Sequence, residues 1–300
     1  RSTESVSGCL CRSRTFPPAR PLPVTRTTSP ARSRTRRRWT STRRNPRSAS
    51  RCSSMASSGS SATASPSKLR TYEDCPAKYR FSHVLGIPGV GKTFFELGIV
   101  VHSVLEKVSR RMMDGGEVSE EEALAMLDSA WRSSMWESRT QEAQDREAAE
   151  GMVRSFLAMQ AGRDDPIVGV EEWFDLEIEG SRVSGKIDRV DDRGDRLEVI
   201  DYKTGKSKLS RPKLKQDFQM VFYCEGAEAI HGKPVGRAGN WNLRFDNETM
   251  VEITPEEREE VLERAREVIR AVKAGNFEAR PEYRTCMYCD YADLCDDRYS

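Results

Sequence analysis

The sequence contains no run of about 18 apolar residues, the length that would suggest a membrane-crossing helix. It also lacks an apolar stretch behind a basic N-terminus, so no secretory segment is expected. The expectation is a cytoplasmic protein that does not enter a membrane. Lysine is missing from residues 1–54, which hold 14 Arg and a single acid, Glu4, and methionine is missing before Met55. That stretch carries +13 against +2 for the whole chain, leaving −11 on residues 55–300. Residues 1–66 are rich in Arg, Ser, Thr and Pro and have neither helical nor strand period, so they are expected to form a disordered basic tail. Three accounts of the tail stay open: phosphate contacts with nucleic acid, a solvated linker, or translation from upstream of the true start in GC-rich DNA. No function is assigned to it. With 37% hydrophobic and 32% charged residues, the chain suits a folded domain with a real core, placed at residues 67–298.

From Ser67 the pattern is that of folded sequence. Ser67–Tyr79 reads as one short helix, followed by a Gly/Pro loop and an apolar helix from Phe94 to about Met113. Ser119 with Glu122 forms a capping-box pattern that opens a long helical region reaching about Gln160. Strand patterns follow at Val168–Ile178, and at Arg182–Val190 and Leu197–Tyr202 around the turn DDRGD. Lys215–Ala229 looks helical, Gly239–Phe245 and Thr249–Ile253 look like strands, and Thr254-Pro-Glu-Glu257 caps a last helix that Gly275 stops. Helices, then strands, then helices predict a mixed α/β domain.

The chemistry concentrates in GKIDRVDDRGDRLEVIDYKTGK, residues 185–206. Asp188 falls near the end of one strand. Asp201 and Lys203 fall on the next, two apart and so on one face of it. Their strand is otherwise apolar, and an acid and an amine on a buried strand are costly unless they pair or bind something. Phosphodiester hydrolysis gives such a trio a purpose. A divalent cation neutralises the phosphate and lowers the pKa of the attacking water, two carboxylates suit Mg²⁺ or Mn²⁺, and a lysine can position that water and stabilise developing charge.

The Asp…Asp-x-Lys arrangement resembles the PD-(D/E)xK nuclease superfamily, and the words GKIDRVD and DYKTGK look specifically like its RecB-type exonucleases. The resemblance implies a restriction-endonuclease-like core, a mixed central sheet flanked by helices, with a helical insert. It implies Asp188 and Asp201 as metal ligands, Lys203 as the catalytic lysine, and a metal contact from the Tyr202 carbonyl. It extends to FELGIVVHSVLE, where Gly98, His102, Leu105 and Glu106 match a helix whose His joins the metal site. It also covers QDFQMVFY, where Gln219 and Tyr223 match a pair that organises the active site. Glu171, or its neighbour Glu172, matches an acid placed before the hairpin.

Four cysteines remain after Cys9, Cys11 and Cys52 in the tail and Cys224, expected to be a buried thiol inside a helix. Cys75 stands far from Cys286, Cys289 and Cys295, which are spaced C-x₂-C-x₅-C. Four thiolates suit zinc or a [4Fe–4S] cluster, and spacing does not choose between them. A disulfide framework is not expected here. YEDCP followed far downstream by TCMYCDYADLC is similar to the iron–sulfur clamp of AddB-type and other RecB-like nucleases. That likeness implies a [4Fe–4S] cluster on Cys75, Cys286, Cys289 and Cys295, closing a loop of about 210 residues.

One motif points elsewhere. GIPGVGKT, residues 86–93, fits the phosphate-loop pattern, and LEVID could pose as an ATPase acidic strand. A phosphate loop needs a strand just before it and βαβ units beyond it, whereas the segment between the two motifs reads as helical. The expected function is therefore a Mg²⁺- or Mn²⁺-dependent DNA nuclease acting on single strands or duplex ends in repair or recombination. A helicase is a candidate partner. A DNA- or helicase-binding accessory module is the alternative, and an ATPase the minor one.

Overall fold

The computed structural model of the protein describes residues 63–89, 93–136 and 138–299. The reading of residues 1–66 as a disordered tail, with its three cysteines, lies outside these except at 63–66, and Lys92 of the phosphate-loop pattern lies outside them too. The fold starts slightly earlier than expected: Ala64 is buried and bridges to Val183, and Pro66 opens α1 (Pro66–Asp74) under a Ser65 cap.

Five strands form one sheet in the order β1 (Ile167–Ile178), β2 (Ser181–Asp192), β3 (Leu197–Lys203), β4 (Val235–Asn242) and β5 (Asn247–Val251). β1, β2 and β3 run antiparallel as a meander, β3 and β4 are parallel, and β4 and β5 antiparallel. Glu179 and Gly180, both at positive φ, make the two-residue turn that joins β1 to β2. The parallel step needs a crossover, supplied by α6 (Arg211–Lys215) and α7 (Phe218–His231), which ends on Gly232 at φ 67.

The sheet separates two apolar cores. On one side Val190, Leu197 and Val199 pack against α7, α1 and α8 (Pro255–Lys273). On the other, Ile200, Tyr202, Trp241 and Leu243 pack against α3 (Thr93–Met113), α4 (Glu120–Ala130) and α5 (Arg139–Gln160). Both expected capping boxes, Ser119 with Glu122 and Thr254 with Glu257, are formed. Cys224 is buried in α7, and burial pushes its thiol up to about 12. Alkylating reagents at pH 8 should therefore leave it unmodified until the chain is unfolded in urea. Rapid labelling of Cys224 in the native protein, read by mass spectrometry, would contradict that burial.

Three expected elements differ. The single helix at 67–79 is two, α1 and α2 (Pro76–Tyr79), because Pro76 forces Cys75 into an extended conformation at φ −167. The long region to Gln160 is broken after Ala130, where Trp131 and Trp136 stack with ring centres 4.2 Å apart and donate to Glu142 and Asp145. β4 begins four residues before Gly239, since Arg237 sends its guanidinium sideways to Glu198 while Val235 and Ala238 are buried. Residues 80–84 form a helical turn, not the strand that a phosphate loop requires, and LEVID lies in the antiparallel meander.

Candidate active site

Strand alternation places the central pair. Ile200 and Tyr202 face the α3 side, so Asp201 and Lys203 face α7. Asp201 is almost wholly buried, and its Oδ2 lies 2.6 Å from the Lys203 ammonium. Lys203 also donates to Gln219 Oε1 at 3.0 Å, and Gln219 donates in turn to the Tyr223 hydroxyl at 2.8 Å. The i, i+4 spacing of Gln219 and Tyr223 stacks them on one face of α7. Asp217 caps that helix by accepting from the Gln219 amide.

β2 changes face at Asp188. Arg189 reaches Gln160 of α5, yet Ile187, two residues back, packs in the α7-side core. The β2–β3 ladder stops at Arg189 and Ile200, and beyond it Asp188 Oδ2 accepts the Tyr202 amide at 2.8 Å. The facing residue of β1, Glu171, has φ 51, a left-handed conformation that costs a non-glycine residue roughly 1–2 kcal/mol. Such strain persists in mid-strand only where the surrounding contacts impose it. Glu171 turns one carboxylate oxygen to Lys186 at 2.5 Å and the other towards His102, whereas Glu172 pairs with His231 at 2.8 Å on α7. Of the two candidate acids, Glu171 is the one in the site.

His102 enters from α3. Its Nε2 donates to the Tyr202 carbonyl at 3.0 Å, and its Nδ1 lies 3.6 Å from Asp188 and 3.8 Å from Glu171. Gly98, one turn earlier, lets α3 approach the loop after β3: a Cβ there would sit 3.3 Å from Thr204 Oγ1. Burial pulls the His102 pKa down, but the carboxylates of Glu171, Asp188 and Asp201 outweigh it and hold it at about 9. Burial and the neighbouring Asp201 push Asp188 up to about 7, and burial raises Asp201 despite Lys203. Glu171 is held below its usual range by His102 and Lys186, against its burial.

One ligand atom each from His102, Glu171 and Asp188 lie within 4.8 Å of one another. An imidazole and carboxylates, crowded until Asp188 resists ionising, fit a divalent cation whose charge relieves the repulsion. Asp201 stands outside that trio because Lys203, two residues on and on the same face, takes its oxygen in a buried ion pair. Glu106 is not drawn in; it pairs with Arg110 on the outside of α3.

Cys75, Cys286, Cys289 and Cys295 line one pocket with Lys78, Phe81 and Arg298, and all four are free thiols. The Arg280 amide points at Cys75 Sγ (3.5 Å) and the Tyr299 amide at Cys286 Sγ (3.4 Å). Burial raises the Cys295 thiol, and Cys75 and Cys286 beside it add to the rise.

Sequence reasoning missed a buried charge network at the far end of the same strands. Arg163 joins Asp191, Glu198 and Glu248, Arg189 pairs with Asp191 at 2.6 Å, and Arg237 and Arg193 also reach Glu198. The charge-rich turn RVDDRGDR, three Arg against three Asp, has the composition of an exposed hairpin end. The buried network's signal is the acid Glu198 inside an apolar strand.

The mixed sheet and α3 bring two aspartates, a glutamate, a lysine and an imidazole together, and His102, Glu171 and Asp188 among them could hold a metal ion. The chain belongs to the PD-(D/E)XK nuclease superfamily, whose family profile matches residues 63–296. It is similar to the Gene 69 protein of Mycobacterium phage L5, 23% identical over 281 residues, covering 77% of this chain and 95% of that protein. The Gene 69 protein of Mycobacterium phage D29 is 28% identical over 137 residues, 44% of this chain and 49% of its own length. Among solved structures, a protein of Eubacterium rectale provisionally named an exonuclease aligns with a TM-score of 0.49 at 12% identity, covering 80% of this chain and 91% of that one.

Proposed function

We propose that the chain is a divalent-metal-dependent deoxyribonuclease of RecB type that hydrolyses phosphodiester bonds in single strands or at duplex ends, in repair or recombination. The observation that carries this is the convergence of His102, Glu171 and Asp188 beside the Asp201–Lys203 pair, within a chain of the PD-(D/E)XK superfamily. A bound Mg²⁺ or Mn²⁺ supplies phosphate neutralisation and a more acidic water. His102, Glu171 and Asp188 would hold that ion, joined by Asp201 through the carboxylate oxygen that Lys203 does not take. Lys203 stays an ammonium because Asp201 and Asp188 outweigh its burial, so it orients the attacking water and stabilises charge on the phosphate oxygens. Gln219 and Tyr223 fix the rotamer of Lys203 and are positioning residues.

No helix among the described residues is long and apolar enough to cross a membrane. Basic side chains after the active strand, Lys206, Lys208, Arg211 and Lys213, are candidates for phosphate contacts. Lys215 is the weaker candidate, since Glu257 holds it at 2.9 Å. The iron–sulfur assignment for Cys75, Cys286, Cys289 and Cys295 rests on their common pocket and on the AddB-type likeness. It predicts visible absorbance with about four irons and four sulfides per chain in protein purified without oxygen. A colourless protein with one zinc would replace the cluster by a zinc site.

The deciding test is end-labelled single-stranded and blunt duplex DNA incubated with Mg²⁺, Mn²⁺ or a chelator. Cleavage is expected with either metal and none with the chelator. Intact DNA under every condition would sink the proposal. The same metals should raise the melting temperature of the wild-type chain, because they relieve the repulsion among Glu171, Asp188 and Asp201.

A further inference from the structure

We infer that Trp173 is a stacking platform for an unpaired base of the DNA, which makes the site selective for single strands and frayed ends. The inference deepens the nuclease proposal and rests on it. Trp173 is 70% exposed, although a tryptophan is among the side chains with most to gain from burial. It lies on β1, an edge strand, two residues beyond Glu171. Its neighbours Glu172 and Phe174 turn to α7, through His231 and Tyr223, so Trp173 points to the opposite side of the sheet. Its partner across the ladder is Lys186, whose ammonium touches Glu171. The indole is therefore one cross-strand neighbour away from the metal cluster.

Two residues along a strand span roughly 7 Å, about the reach from a phosphate to the base it carries. A phosphate held at the cluster thus puts an adjacent base over Trp173. A second apolar side chain, Ile99, is 60% exposed on α3, one turn before His102. The two elements that carry His102 and Glu171 each present an uncovered apolar group beside the site. A protein or lipid partner seated there would block the phosphate from the cluster, whereas a base continues the same ligand. Stacking needs a free base face, which a paired interior base lacks and an unpaired or terminal one offers.

Trp241 is fully buried, and Trp131 and Trp136 stack on each other. Among the described tryptophans, Trp173 alone offers an open face, so the part of the quenching that Trp173→Phe removes reports on stacking. The test uses the full chain. Short oligothymidylate is titrated in chelator, where no cleavage occurs, and the specificity constant kcat/KM is then measured with Mn²⁺ on single-stranded and blunt duplex DNA. Wild-type fluorescence should be quenched, and Trp173→Phe should lose that quenching while keeping most of the activity. Trp173→Ala should lose roughly 5- to 150-fold in kcat/KM on single strands and much less on duplex, with an unchanged melting temperature. A wild-type enzyme that cleaves single strands while Trp173→Ala stays within twofold of it overturns the inference and leaves the nuclease proposal standing. A wild-type chain that neither binds nor cleaves DNA removes both.

Discussion

Lys203→Ala is expected to cleave DNA roughly 10²–10⁴-fold more slowly than the wild-type chain, with little change in DNA binding. The ammonium sits at the junction of two networks, the buried Asp201 carboxylate and the Gln219–Tyr223 pair, and no other described lysine reaches Asp201. Its loss removes the positive charge aimed at the phosphate and leaves the metal-binding residues in place. It also strips a buried carboxylate of its partner, which is destabilising by itself. The variant should therefore melt below the wild type in chelator and recover most of that difference in Mn²⁺, since the metal replaces the missing cation beside Asp201. Measuring rate, binding and melting together separates chemistry from folding. Full activity in Lys203→Ala would take this residue out of the mechanism.

Cys289→Ala is the second large effect. Iron should fall from about four per chain to near none, and the melting temperature should drop sharply. A crosslink spanning about 210 residues, from Cys75 to Cys286, restricts the unfolded chain by an amount on the order of 5 kcal/mol in the closure estimate. The loss should be local first. α9 (Tyr283–Met287) buries none of its side chains, and the neighbouring segment is held by few contacts. Among these are Tyr72 donating to the Asn276 carbonyl, Phe277 stacked on Tyr79, Arg280 donating to the Glu73 carbonyl, and Tyr291 donating to the Ile87 carbonyl and stacking on Phe81. Limited trypsin digestion should cut the variant at Arg280 and Arg284 before any site in β1–β5. Equal iron content and melting temperature in variant and wild type would refute a metal centre there.

The strands that carry Asp188, Asp201 and Lys203 are legible because their signals are local. An apolar LEVI followed by Asp-Tyr-Lys can place its acid and amine on one face in a single way, and the i, i+4 pair Gln219 and Tyr223 needed only a helix. The choice between Glu171 and Glu172 was not legible. It is made by a left-handed residue in mid-strand and by His231, 59 residues away, and neither leaves a mark in local periodicity. The start of β4 was hidden for a related reason. Val-Gly-Arg-Ala has no strand alternation until Arg237 is known to turn towards Glu198. The break after Ala130 escapes the sequence because the residues on both sides are good helix formers, and only the Trp131–Trp136 stack shows the chain turning. Helical periodicity runs unbroken through Cys75, and the signal for the break there is Pro76.

The pocket shared by Cys75, Cys286, Cys289 and Cys295 has a consequence for the order in which the molecule is made. His102, Glu171, Asp188, Asp201 and Lys203 all leave the ribosome before Cys286 does. The five strands and α7 can therefore assemble, with their metal ligands in register, while the pocket still has only its first thiol. The pocket closes last. A chain cut short after β5 would carry every proposed metal ligand but lack α8 and the three downstream thiols, Cys286, Cys289 and Cys295. A cluster held by all four thiols would form only on a chain synthesised as far as Cys295.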